Sequence, residues 1–461
     1  MYAFFRSGLT PIKVYCLPMF MAGALMSNPV LAAPKKIWVT LDDATYAQLQ
    51  ELASEVAAYE SRAVANRAEN NLVTGVNPEG IRLKRSFEFV HAVEVEEALL
   101  PRLSKAIQQR SKRHGGYRVH NSQEEALAAL QPLIPATQAI RPSYTIDNQA
   151  AVSPLLAQMQ DSNIASTIAD LSAHPNRYYT SIHGVRASNW LLRRWQWLAA
   201  GRSDVTVEQF THRAFPQKSV ILTIQGTDNA NEVVVLGGHL DTVTDTSNID
   251  EDARAPGADD NASGIASLTE VARVLLTTNY KPRRTIKFMA YAAEEAGLLG
   301  SKDIAQKFKA DNINVVGVMQ LDMVNRKGSE KDIYIYTDNT DRQQNTFIAN
   351  LITTYLPTLT IGYDQCGNCS DHVSWHNEGY WASMPSEAAA RDINPHIHSA
   401  DDTYANTGNQ ALHALKFSRV GLAFAVELGS DGPTVDVRFT LPRKSGAMSP
   451  GASSEASNMR P

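Results

Sequence analysis

Val233-Val234-Val235-Leu236-Gly237-Gly238-His239-Leu240-Asp241 is a short, continuous apolar run that stops on an imidazole and a carboxylate. A strand buried on both faces reads this way, because helices cover either side of a parallel sheet. Working outward, strand-like runs follow at residues 285–293, 315–324 and 333–336, with helical spacing at 264–276, 301–309, 344–355 and 411–428. Alternating strands and helices over this length predict a single three-layer α/β domain from 145 to 432, with a mixed, mostly parallel sheet flanked by helices.

The same runs carry the chemistry. Ligands of open α/β sheets gather at the carboxyl ends of strands. His239 and Asp241 end the first strand, and Asp259 and Asp260 precede a helix. Glu294 and Glu295 close Ala290-Tyr291-Ala292-Ala293, Asp322 follows Gln320-Leu321, and His398 follows Pro395-His396-Ile397. Imidazole and carboxylate are the donors that catalytic zinc accepts. Each alone is weak, since strand-end histidines and paired glutamates commonly face solvent. The acidic stretch 245–260 lacks the regular oxygen spacing of an EF-hand calcium loop. Two adjacent carboxylates ending an apolar strand are costly without a cation nearby.

The remainder of the chain bounds the setting. Its 461 residues carry 43 Lys plus Arg against 48 Asp plus Glu, a formal charge of −5, which argues against nucleic acid as a partner. Arg6 and Lys13, an apolar run at 14–26 and small residues at Val30, Ala32 and Ala33 predict a signal peptide over 1–32. A secreted or periplasmic protein with no stable membrane association after cleavage is the expectation. In that compartment Cys366 and Cys369 read most simply as a disulfide, with a redox-active or zinc-binding pair as the rival. Residues 33–144 are expected to form a small α+β segment: strands at 37–41 and 87–95, helices at 43–68 and 96–109, and a solvated basic loop or processing site at 110–120. Pro132, Pro135 and Pro142 mark a linker, and the Ser/Gly/Ala/Pro-rich tail, 433–461, reads as disordered.

Gly-Gly-His-Leu-Asp (237–241), Pro-Gly-Ala-Asp-Asp (256–260), Ala-Tyr-Ala-Ala-Glu-Glu (290–295), Leu-Asp-Met (321–323) and Cys-Ser-Asp-His-Val-Ser-Trp-His-Asn (369–377) occur in this order. Together they resemble the secreted bacterial di-zinc leucyl aminopeptidases, the co-catalytic zinc exopeptidases, over residues 147–432. The resemblance implies an eight-stranded sheet and two Zn2+ per chain. His239 and Asp322 would bind one ion, Glu295 and His398 the other, and Asp260 both. Asp260 is favoured over Asp259 because the family's bridging acid stands three residues before its Ser-Gly, here Ser263-Gly264. Asp241 would hold the His239 imidazole, and Glu294 would be the general base.

The family places aromatics where Ser386, Ala390 and Ile393 stand here, with Met384 retained. A pocket lined by these residues and Met323 would be wider and less aromatic. Only two residues, Gly367 and Asn368, separate the cysteines, against three in the family. Residues 33–144 resemble the family's pro-segments, which suggests a zymogen. The implied partner is the N-terminus of a peptide or protein, met by a monomer. Rival readings are a glutaminyl-cyclase-like or carboxypeptidase-like relative, or a non-catalytic binding module on the same scaffold.

Overall fold

The computed structural model describes residues 35–65, 87–111, 115–131, 141–244 and 251–430. The expected signal peptide, the prolines at 132 and 135 and the tail from 433 lie outside the described residues. The N-terminal block begins with β1 (Lys36–Asp42), where Asp42 ends the strand and caps α1 (Asp43–Leu52) by accepting the Thr45 amide at 2.7 Å. The helix expected to reach 68 stops there. Residues 58–65 instead form β2 (Ala58–Ala65), paired along β3 (Phe87–Glu96), and that cross-strand ladder overrides the helical propensity of the alanines. After α2 (Leu100–Ser111) come β4 (Tyr117–His120) and α3 (Gln123–Ala129). The antiparallel sheet runs β2-β3-β1-β4.

The stretch expected as a solvated basic loop is corrected by β4, which is buried throughout. Val119 joins Val39, Leu41, Val93, Leu103 and Ile107 in the block's core, and Arg118 and His120 are buried beside it. Charge suggested solvent, but strand pairing to β1 and the catalytic face take these residues inside.

The larger part opens with α4 (Gln149–Leu156), α5 (Asp161–Ser172) and α6 (Ile182–Leu198). There follow β5 (Val205–Phe210), β6 (Ser219–Ile224), β7 (Asn229–His239), α7 (Ala262–Thr277), β8 (Arg284–Tyr291), α8 (Leu299–Ala310) and β9 (Asn314–Gln320). Then come β10 (Ile333–Tyr336), α9 (Arg342–Tyr355), β11 (Ile361–Asp364), α10 (His372–Asn377), β12 (Ala382–Ser383), β13 (Pro385–Ser386) and α11 (Leu412–Ser430). Six strands pair in the order β12-β9-β7-β8-β6-β5, parallel from β12 to β8 and antiparallel beyond. Three more pair as β11-β10-β13. The structure therefore has two ladders where one eight-stranded sheet was expected. They are joined at Met384, where β12 and β13 form one bent run, and eight is reached only by counting that run once.

Alternation along β7 shows why helices lie on both faces. Val234 and Leu236 join a core with α5, α6, α7 and α11, while Val233 and Val235 join one with α8 and Trp375 of α10. Each such fully buried side chain contributes roughly 1.5–3 kcal/mol. Parallel pairing sends β7, β8 and β9 toward the same rim, where the acids and histidines sit.

The N-terminal block is fastened to α8. Lys302 is buried, donates to the Val119 carbonyl at 3.0 Å and pairs with Glu125 at 3.3 Å, while Gln306 donates to Glu125 at 3.1 Å. His120 lies within the same cluster, with Nε2 2.8 Å from Thr40 Oγ1 and Nδ1 3.8 Å from Glu125. Burial, together with nearby Arg118 and Lys302, pushes its imidazole down to about 4. The unfolded chain therefore binds this proton first, and the stability held above pH ~6.5 is lost progressively as pH falls toward 4. His174 and His413 act in the same direction. Replacing His120 with Gln should flatten the fall in unfolding free energy between pH 6.5 and 4.5, measured by denaturant titration. An unchanged slope contradicts this assignment.

Candidate active site

Three strand ends (β7, β8 and β9) and two loops deliver the polar residues, and close backbone approach locks them together. Asn261 caps α7 by accepting the Gly264 amide at 2.9 Å, and its Nδ2 donates to the Leu321 carbonyl at 2.9 Å. A side chain at Gly264 would stand 2.3 Å from that same carbonyl, so only glycine lets the helix start touch the turn bearing Asp322. Ser263 Oγ accepts the Val324 amide, and Asp259 accepts the Asn325 amide. Asp402, fully buried, receives the Asp259 and Asp260 amides, the latter at 2.9 Å.

The result is a cluster centred on Asp260. Its Oδ1 lies 2.9 Å from His239 Nε2, and its Oδ2 lies 3.3 Å from His398 Nε2. Asp322 Oδ1 is 3.2 Å from His239 Nε2, and Glu295 Oε2 is 2.9 Å from His398 Nε2. His239, Asp260 and Asp322 thus form one potential ligand group, and Asp260, Glu295 and His398 a second. In each, the donor atoms lie within 4.8 Å of one another. Glu294 joins His239 and Glu295 in a third group.

The electrostatics call for a cation. Both Asp260 oxygens and Glu295 Oε1 are buried without a well-aligned hydrogen-bond donor. Burial pushes Glu294 well above the usual carboxylate range, reinforced by Glu295, Asp371 and Asp322, and pushes Glu295 up to about 7. Burial works against Asp260 as well, yet the two imidazoles hold its carboxyl well below the usual range. Buried carboxylates interleaved with imidazoles are a donor set suited to zinc, and the uncompensated negative charge suits divalent ions.

Asp241 sits beside the His239 imidazole, as expected, and also reaches a second partner. Its two oxygens accept the Glu294 and Glu295 amides at 3.0 and 3.1 Å, so it grips the turn carrying both glutamates. His239 Nδ1 faces the Asp241 backbone carbonyl at 3.2 Å, and its carboxylate is 3.6 Å away. Among residues given no role in the sequence reading, Ser370 donates to Asp322 Oδ2 at 2.6 Å, and Gln320 donates to Ser370 and Asp371. Arg177 is wholly buried and donates to the carbonyls of Leu240, Pro256 and Gly257, fastening the strand end to the loop that leads into Asp260. A lone arginine in a Tyr-rich loop offered no signal for that.

The pocket candidates divide into two groups. Met323 and Ile393 pack with Ile397, whereas Met384 and Ala390 pack with Tyr336 and the bonded pair Cys366–Cys369. Ser386 is buried on β13 beside them. The N-terminal block reaches the same region from three sides. Gln108 donates to the Ile397 carbonyl at 3.1 Å, the Gly116 amide donates to Asn368 O at 3.0 Å, and Tyr117 is buried in the field of the site. Burial raises the Tyr117 phenol to about 12, with Glu294 and Glu295 adding to the shift.

Comparison with known proteins agrees with this geometry. The model of Peptidase family M28 matches residues 219–420. A probable leucine aminopeptidase of Arthroderma otae is 34% identical over 304 residues, covering 64% of this chain and 79% of the relative. A probable leucine aminopeptidase of Trichophyton verrucosum is also 34% identical, covering 64% and 80%. Among solved structures, the LapA aminopeptidase of Legionella pneumophila has a TM-score of 0.69 at 27% identity, covering 87% of this chain and 100% of that one. LapB from the same organism has a TM-score of 0.67 at 29% identity, covering 86% and 100%. With a relative matched over most of its length and the histidine–carboxylate cluster at the strand ends, the chain belongs to peptidase family M28, the co-catalytic zinc aminopeptidases, and is a peptide-bond hydrolase.

Proposed function

We propose that this protein removes the N-terminal residue of peptides with a carboxylate-bridged pair of zinc ions and Glu294 as general base. The observation that carries the reading is the pair of ligand groups sharing Asp260. His239 and Asp322 would hold one ion, Glu295 and His398 the other, and Asp260 would lie between them. When bound, the zinc ions would supply Lewis acidity to activate water and polarise the scissile carbonyl. Glu294 lies beside His239 and belongs to neither of the groups that contain Asp260, so its carboxylate is available to take the water proton and return it to the departing amine. Asp241 keeps that carboxylate and the Glu295 ligand on one short turn by holding both amides. A complete double set favours hydrolysis over a single-zinc cyclase or a binding module.

The substrate is a free amino terminus whose first side chain enters the region between Met323, Ile393, Met384 and Ala390. Small residues at 386 and 390 suit bulky or varied side chains, not a strict leucine preference. The N-terminal block is read as a pro-segment that covers this entrance. The basis is its contacts at Ile397, Asn368 and Tyr117, close to His398 and the disulfide loop. Export by the signal peptide fits the Cys366–Cys369 bond, which oxidising compartments preserve.

Glu294→Gln should reduce turnover by at least about a thousandfold with zinc content unchanged, consistent with loss of both general base catalysis and its electrostatic support. Glu295→Ala should instead lose zinc, by metal analysis after dialysis. A fully active Glu294→Gln enzyme contradicts the base role. Limited proteolysis between 132 and 140 should raise the rate on aminoacyl nitroanilides as the block departs, and an unchanged rate on a cleaved, block-free enzyme removes the pro-segment reading.

A further inference from the structure

Away from the zinc ligands, the described residues hold an arrangement with the atoms of a nucleophilic triad. Asp303 Oδ2 on α8 lies 2.8 Å from His212 Nδ1, and His212 Nε2 lies 2.8 Å from Ser219 Oγ at the start of β6. Access rules out a nucleophile. Ser219 and the His212 side chain are completely buried, and Ser219 Oγ already accepts the Ala292 amide at 3.0 Å. With the neutral imidazole donating to Asp303, Nε2 accepts the serine proton, and the serine lone pair receives Ala292 N–H. The chain of bonds therefore ends on the backbone two residues before Glu294.

That backbone is strained. Ala293 has φ of +55°, a left-handed conformation that is sterically unfavourable for a residue with a side chain. Such a conformation persists only where its surroundings over-determine it. One side is held by Asp241 on the Glu294 and Glu295 amides. The other side is held by Ser219 on Ala292, while Phe215 packs on Ala292 and Ala293 and stacks on His212 with ring centres 4.7 Å apart.

We propose that His212 is a positioning residue for Glu294: through Ser219 it clamps the Ala292–Ala293 backbone and so fixes the turn that presents the base. The proposal rests on the reading of Glu294 as that base. The test uses the zinc-saturated full-length protein, activated as above if the block inhibits it. His212→Gln and Ser219→Ala should each lower kcat about tenfold with KM changed less than twofold and zinc content retained. Adding Ala293→Gly to His212→Gln should recover at least threefold, because glycine adopts positive φ without the steric penalty. General loosening of the core would not be repaired by that glycine. If His212→Gln does not fold, Asp303→Asn on the partly exposed end of the relay asks the same question. An unchanged kcat, a loss that Ala293→Gly does not relieve, or labelling of Ser219 by a fluorophosphonate overturns the proposal. Glu294→Gln is assayed alongside: if it is inactive while His212→Gln is fully active, only the clamp fails. If Glu294→Gln is itself active, the base reading fails and takes the clamp with it.

Discussion

A single carboxylate, Asp260, faces two imidazoles from opposite oxygens, and the surrounding architecture serves to hold it there. Its backbone amide is fixed by Asp402, its neighbour Asp259 takes the Asn325 amide, and the following helix is capped by Asn261. Asp260, Glu294, Glu295 and Asp322 share this buried region, which is unfavourable until positive charge arrives. Metal binding and local folding are therefore linked, as expected when ligands preassemble at a cost the ion offsets.

The turn bearing Glu294 and Glu295 is held by the same kind of bonds. Asp241 holds it from the strand beside, and the Ser219–His212–Asp303 relay meets it from below. Rigidity here matters because small misplacements of reacting groups are expensive in rate. The N-terminal block adds a further layer, since the α8 that carries Asp303 also carries Lys302, which grips Val119 and Glu125. Docking of the block and support of the base turn thus converge on one helix.

Much of this could be read from the amino acids, and the exceptions have physical causes. The apolar run of β7 ending in His239 announces a buried strand and its chemical end, because it is short, rich in β-branched valine and closed by two glycines. The acids at 294, 295 and 322 stand out because they follow apolar strands, whereas Asp260 is singled out by the family resemblance. Arg177, Ser370 and Asp402 do not stand out, since their roles are hydrogen bonds to backbone or carboxylate atoms distant in the chain. Residues 58–65 and 117–120 mislead, because alanine and basic residues signal helix and solvent while strand pairing decides both. Met323 and Ile393 fall in a different cluster from Met384 and Ala390, a tertiary grouping that no local pattern encodes.

The central claim is that two ions share Asp260, and anomalous X-ray scattering from crystals grown with zinc tests it directly. The account predicts two peaks, one between His239 and Asp322 and one between Glu295 and His398, each within coordinating reach of a different Asp260 oxygen. A single peak, or none within reach of Asp260, would contradict it.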